Sequence, residues 1–212
     1  MFSRLDEQQN QRMRGMKNRI WIVGLMAALA WAGGAMAQVD APEQMLPTVR
    51  QPTLRKAHPE KDALALERVE FCREKLPEQY RRRNNFAWAV AKIKDLDKVE
   101  YFAHSGIQSL DDFSKEMVQQ LDGISVRPEK GRFHALCVNQ NDVVDGYDCW
   151  VRTVDTEYKI LEDMAARMPD PSVKGRVKLY TDLPPCASCW NVMKQFMAVY
   201  TNVNMSVLYR RK

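Results

Sequence analysis

A Pro-Pro turn running into two closely spaced cysteines constrains this chain more than any other feature. The stretch Leu179-Tyr180-Thr181-Asp182-Leu183-Pro184-Pro185-Cys186-Ala187-Ser188-Cys189-Trp190 reads as a strand, a turn and a helix that begins at the cysteine pair. The first turn of a helix brings positions i and i+3 together, so both thiols can face one point. The free backbone N–H groups and the positive end of the helix dipole there favour thiolate over thiol. Prolines ahead of the first cysteine suit a turn feeding a helix start. Such a pair suits half of a tetrahedral zinc site. It equally suits a redox dithiol or a structural disulfide. The metal reading therefore needs a third ligand and a group that moves protons.

The chain has 212 residues and a formal net charge of +5, a mild bias toward anionic partners that does not establish nucleic-acid binding. Residues 20–32 form an uninterrupted apolar run preceded by Arg12, Arg14, Lys17 and Arg19 and followed by Ala35-Met36-Ala37. A basic stretch, a short apolar run and a small-x-small site read as a secretory signal peptide over 1–37, cleaved after Ala37. Met16 offers a second start for that signal. The run is too short for a comfortable membrane span, and no other stretch approaches the needed length, so no stable span is expected after cleavage. The expected localisation is export through the inner membrane, periplasmic or secreted. Cys72, Cys137 and Cys149 accompany the pair, and in an oxidising compartment they allow one disulfide and one free thiol in any combination.

Residues 38–60, with Pro42, Pro47, Pro52 and Pro59, read as a linker or arm, leaving 61–212 as the folded domain. Along the domain the pattern predicts a helix over 61–83 interrupted at Pro77, strands near 85–94 and 99–104, a helix over 110–121 and a strand over 132–138. A polar stretch covers 139–148. A strong helix is predicted over 155–168, a strand over 176–180, the cysteine helix, and a last strand over 204–209. The run Arg81-Arg82-Arg83 reads as a solvated helix end, with phosphate contact as the alternative.

Alternating helices and strands suggest an α/β sandwich with helices facing a sheet. Two helices begin with candidate ligands, Asp155 on one and Cys186 and Cys189 on the other, and one strand separates them. That connectivity suits neighbouring helix starts meeting at one metal. Asp155-Thr156-Glu157 and Pro185-Cys186-Ala187-Ser188-Cys189 resemble the paired motifs of the nucleic-acid and nucleotide deaminase superfamily. The longer runs around them, Asp155-Thr156-Glu157-Tyr158-Lys159-Ile160-Leu161 and the stretch from Leu179 to Phe196, are more similar to bacterial secreted deaminase toxins and effectors, as are the Phe-Ala-x-Ala element at Phe86 and Ala103-His104-Ser105-Gly106-Ile107.

The resemblance covers about residues 80–210. It implies a three-layer cytidine-deaminase-like α/β fold, a mixed sheet flanked by helices with a zinc site at two helix N-termini. It implies Zn2+ held by Asp155, Cys186 and Cys189, water in the fourth position, and Glu157 as a proton shuttle that is not a ligand. It also implies His104 as a substrate contact, with a structural histidine as the alternative, and a nucleobase in a nucleotide, DNA or RNA as substrate, with cytosine favoured; Trp88 offers a ring for stacking on a base or for packing in the core. For an exported effector or toxin, an immunity protein is a further expected partner. Aspartate in place of the usual histidine is the main departure from the pattern; one carboxylate and two thiolates carry the same formal charge as the three-cysteine variant. Two competing classes stand beside this reading: a thiol–disulfide protein using Cys186 and Cys189, and a catalytically inactive deaminase-fold binding module.

Overall fold

In a computed structural model the described residues are 50–211. The signal peptide expected over 1–37 and the arm as far as residue 49 lie outside them. Among the described residues no helix is long and apolar enough to cross a membrane.

The domain is a three-layer α/β sandwich around a five-stranded mixed sheet in the order β1-β7-β6-β2-β3. The strands are β1 (Thr53–Lys56), β2 (Phe86–Ile93), β3 (Glu100–His104), β6 (Gly175–Thr181) and β7 (Val203–Tyr209). β1, β7 and β6 are parallel, while β2 runs antiparallel to both β6 and β3. Helices α4 (Thr156–Ala166) and α5 (Ala187–Val199) cover one face. α1 (Ala63–Glu74), followed by the short α2 (Glu78–Arg81) and α3 (Lys115–Gln120), lies with the opposite face.

The alternation of β2 decides which side chain faces which layer, since successive residues point to opposite faces. Ala87, Ala89 and Ala91 join Leu161, Met164, Val192 and Phe196 in the core beneath α4 and α5. Phe86 and Trp88 join Val69, Cys72, Phe102, Tyr180 and Leu208 beneath α1. The small residues lie under the two long helices, so these can sit close to the central strands. Each fully buried Leu, Met or Phe here stabilises the fold by about 1.5–3 kcal/mol.

Three sequence expectations change. The arm expected over 38–60 contains a strand: Thr53–Lys56 pairs in parallel with Ser206–Tyr209. Its side chains are all exposed, so there was no apolar periodicity to mark it. The strand expected over 132–138 shrinks to β4 (Cys137–Val138), paired with β5 (Trp150–Val151) in a separate ribbon. The backbone ahead of β4 bonds to helix side chains instead: Glu162 accepts from Arg132 N and Phe133 N at 2.8 and 2.7 Å, and Ser188 Oγ accepts from Leu136 N at 2.9 Å. Gly131 permits this close approach, because a Cβ there would stand 1.9 Å from Tyr158 Oη. The helix expected over 110–121 shortens to Lys115–Gln120, capped by Ser114. Of the three cysteines left open, Cys137 and Cys149 form the disulfide and Cys72 is free, on the buried side of α1.

One buried cation helps to fix α4 against β3. Lys159, fully buried, donates from Nζ to His104 O at 2.8 Å, Ile107 O at 2.6 Å and Gln108 Oε1 at 3.3 Å. Burial pushes its pKa down to about 7. The folded chain then binds this proton more weakly than the unfolded chain, so stability rises as pH rises from about 7 toward 10. Lys159→Met leaves Ile107 O and Gln108 Oε1 without this donor and is expected to cost about 1–3 kcal/mol. Urea unfolding at pH 7 and pH 9 checks both points: the deficit of the variant should be larger at pH 9.

Candidate metal centre

The path of the chain puts two helix starts at the same end of the sheet. α4 runs into β6 through a loop, β6 runs into α5 through Pro184-Pro185, and α5 returns to β7 beside β6. Both helices therefore begin at the end where β6 finishes. Asp155 is the N-cap residue of α4 and Cys186 the N-cap residue of α5, where its Sγ accepts from Cys189 N at 3.4 Å.

The three expected ligands converge. Asp155 Oδ2 lies 3.2 Å from Cys186 Sγ and 3.2 Å from Cys189 Sγ, and the two sulfurs are 3.3 Å apart. Tetrahedral zinc with ordinary Zn–S and Zn–O bonds needs ligand–ligand edges of about 3.5–3.8 Å. The triangle reaches that by opening a few tenths of an ångström. Glu157 stands alongside, its Oε2 3.5 Å from Cys189 Sγ, and is buried.

Electrostatics favour a cation at this point. Two carboxyls and two thiols crowd one another, and the nearest basic group is Arg152, whose Nε lies 3.3 Å from Asp155 Oδ2. The bond that the Cys189 thiol donates to Cys186, together with burial, raises Cys189 well above its ordinary pKa, while Cys186, which accepts it, is lowered. Burial first, and then Asp155, raise the Glu157 carboxyl. Anionic groups packed this way resist ionising until a cation compensates them. The donor set of one carboxylate and two thiolates suits zinc, and the residues present fit it.

Glu157 is aimed by neighbours that the sequence reading passed over. Thr156 Oγ1 donates to Glu157 Oε2 at 2.8 Å. Asn85 Nδ2 donates to Thr156 Oγ1 at 2.8 Å and to Thr181 Oγ1 at 2.9 Å, and its Oδ1 accepts from Leu183 N at 3.1 Å. Asn85 thus ties the entry to β2, the start of α4 and the turn before the cysteines to one side chain. Thr156 had a signal, its place between Asp155 and Glu157. Asn85, a polar residue ahead of a strand, had none.

His104 and Trp88 are not brought to this cluster. Both project from the opposite face of the sheet. His104 Nε2 donates to Arg83 O at 2.8 Å, its Nδ1 accepts from Gly106 N at 3.1 Å, and its ring meets the edge of Tyr80. Burial holds its pKa below the ordinary value, so it is a neutral histidine with both nitrogens engaged. Trp88 packs beneath α1 and donates from Nε1 to Glu100 Oε1 at 2.8 Å. The reason is register: Trp88 and His104 share a face with Phe86 and Phe102, and α4 and α5 lie on the other.

A family model named Toxin-deaminase, described as the BURPS668_1122 family of deaminases, matches residues 69–211. The chain belongs to this toxin-deaminase family. No curated protein and no solved structure matches it. The match takes in Asp155, Glu157, Cys186 and Cys189, and also the disulfide ribbon β4–β5. In this toxin deaminase the ribbon borders the metal cluster: Arg152 follows β5 and pairs with Asp155, and Asp142 Oδ1 accepts from Ala187 N, in the first turn of α5, at 2.7 Å.

Purified protein is expected to carry about one zinc per chain by elemental analysis, retained in Glu157→Gln and lost in Cys189→Ala or Asp155→Ala. Metal-free protein with a Cys186–Cys189 disulfide would reject the site. Replacing Cys137 and Cys149 with alanine removes the 12-residue cross-link and should cost about 3 kcal/mol in denaturant unfolding.

Proposed function

We propose that this toxin deaminase is an exported, zinc-dependent enzyme that hydrolytically removes the exocyclic amine of a nucleobase, with cytosine as the favoured base. The observation that carries the reading is the meeting of Asp155, Cys186 and Cys189 at one point with Glu157 beside them and outside the ligand set. Zinc, when held by those three residues, supplies a Lewis acid that makes a water nucleophilic near neutrality.

The chain's own groups account for the proton traffic. Hydrolysis adds water to the amine-bearing ring carbon and releases ammonia, so one proton must reach the ring nitrogen and another the departing amine. Glu157 is the group placed for both transfers. Burial and the neighbouring Asp155 raise its pKa, which favours a carboxyl able to hold a proton for transfer. Thr156 Oγ1 donates to Glu157 Oε2, the oxygen that lies toward Cys189, and so fixes where the carboxyl stands beside the ligands. Arg152 Nε lies 3.3 Å from Asp155 Oδ2 and sets a positive charge beside that carboxylate.

Export is supported by the signal-like pattern of residues 1–37 and by the Cys137–Cys149 disulfide, which suits an oxidising compartment. An enzyme that attacks bases and leaves the producing cell fits a toxin, and an immunity protein would then guard that cell. The thiol–disulfide reading gives no role to Asp155, whose Oδ2 lies 3.2 Å from both sulfurs.

The test is base conversion. Zinc-loaded protein incubated with cytosine- and adenine-bearing nucleosides and oligonucleotides should release ammonia and convert one base. Glu157→Gln should keep its zinc and lower the rate by about 10²–10⁴-fold. Zinc-bound wild-type protein that converts no base in any of these forms would turn the reading to a binding module.

A further inference from the structure

The segment that joins the two strands of the ribbon has no part in the chemistry above. It runs from β4 to β5, and the Cys137–Cys149 disulfide closes it into a loop. From residue 139 to residue 155 no side chain is buried, so apolar packing does not hold it in place. The ribbon itself offers little: β4 and β5 are two residues each, and a two-stranded ribbon is marginal on its own. Asn139 Oδ1 accepts from Asn141 N and Val143 N at 2.9 and 3.1 Å, but these bonds stay inside the loop. Asp142, Asp145 and Asp148 all take left-handed backbone conformations, with φ of 61°, 52° and 54°. Aspartate enters that region at some cost, and three in one short loop persist only where the surroundings fix them. The cross-link is the covalent constraint that does so.

One bond leaves the loop and reaches the metal centre. Ala187 N donates to Asp142 Oδ1 at 2.7 Å. That N–H has no partner inside α5, because it belongs to the first turn of the helix. A carboxylate there also meets the positive end of the dipole. The same N–H belongs to the peptide unit that joins Cys186 to Ala187, whose plane includes the Cys186 Cα. Gripping that plane sets the direction in which the Cys186 sulfur leaves the backbone. On the other side of the ribbon, Arg152 lies three residues beyond Cys149. Its guanidinium sits over the Trp150 ring at 4.4 Å, and its Nε is 3.3 Å from Asp155 Oδ2. The ribbon therefore meets both helix starts that carry ligands.

We propose that Asp142 is a positioning residue of the metal centre, and that the Cys137–Cys149 cross-link, by holding Asp142 against the start of α5, makes zinc retention depend on the redox state around the protein. This rests on the zinc reading of Asp155, Cys186 and Cys189. A dithiol reductant opens the cross-link: its two electrons enter the Cys137–Cys149 bond, both sulfurs take up a proton and become thiols, and the reductant departs as a disulfide. The loop then loses its closure and Ala187 N its fixed acceptor. Oxidised protein holds zinc more tightly than reduced protein.

The test is zinc affinity, read apart from turnover by competition with a chromophoric chelator, on full-chain protein at a temperature where every variant is folded. Asp142→Gly relieves the left-handed backbone and removes only the acceptor, and should lose about tenfold in affinity. Asp142→Asn keeps an acceptor oxygen and should stay within about threefold of wild type, the share of the lost charge at the helix end. The pair Cys137→Ser and Cys149→Ser should lose about tenfold without any reductant. A phosphine reductant should lower the affinity of wild type and leave the serine pair unchanged. In the serine background Asp142→Gly should lose less than about twofold more, because the open loop no longer presents the carboxylate. Wild-type affinity in Asp142→Gly, losses that simply add in the combined variant, or indifference of wild type to the phosphine overturns this proposal and leaves the metal reading standing. Wild-type protein that takes up no zinc overturns both.

Discussion

Crowded negative charge is the constraint around which this domain is arranged. Two carboxyls and two thiols meet at the starts of α4 and α5, with distances of 3.2–3.5 Å between them. Such a cluster is unfavourable unless something positive joins it, and two helix N-termini and one arginine supply only part of that. The rest of the fold keeps these groups from relaxing apart. Asn85 ties β2, α4 and the Pro-Pro turn together, and the alanines of β2 let both helices sit close to the sheet.

Lys159 and Arg73 secure the same end of the sheet from below. Lys159 ties α4 to the turn after β3, and Arg73 from α1 reaches Asp182 at 2.8 and 3.0 Å through the other layer. Asp182 also accepts from Tyr180 Oη at 2.9 Å and lies on the segment that leads to Cys186. The cysteine turn is thus anchored from both faces of the sheet. A site held this way keeps its ligands near their working separation before any ion arrives, which lowers the cost of ordering them.

The two faces at this end divide the work. The α4–α5 side gathers the ligands and Glu157. The α1 side carries a cleft walled by arginines, where Arg73 is committed to structure and Arg82, Arg83 and Arg211 are not. The disulfide ribbon adds Asp142 and Arg152, which touch the start of α5 and the ligand of α4. The family match spans the elements of both faces from residue 69 onward.

Local patterns determined the elements whose apolar periodicity was strong: α4, α5, β2, β6 and β7 stand close to where the sequence placed them. The same holds for the convergence of Asp155, Cys186 and Cys189, because a helix start restricts where its first residues point and the intervening strand restricts where the two starts lie. Tertiary structure alone decided the rest. β1 has four exposed side chains and exists because β7 offers it a parallel edge. The choice of Cys137–Cys149 over pairings with Cys72 depended on which cysteine α1 buried. The places of Trp88 and His104 turned on register, since one face of β2 and β3 meets α1 and the other meets α4 and α5. Alternation along a strand is visible in a sequence; which face receives which helix is settled only when the layers pack.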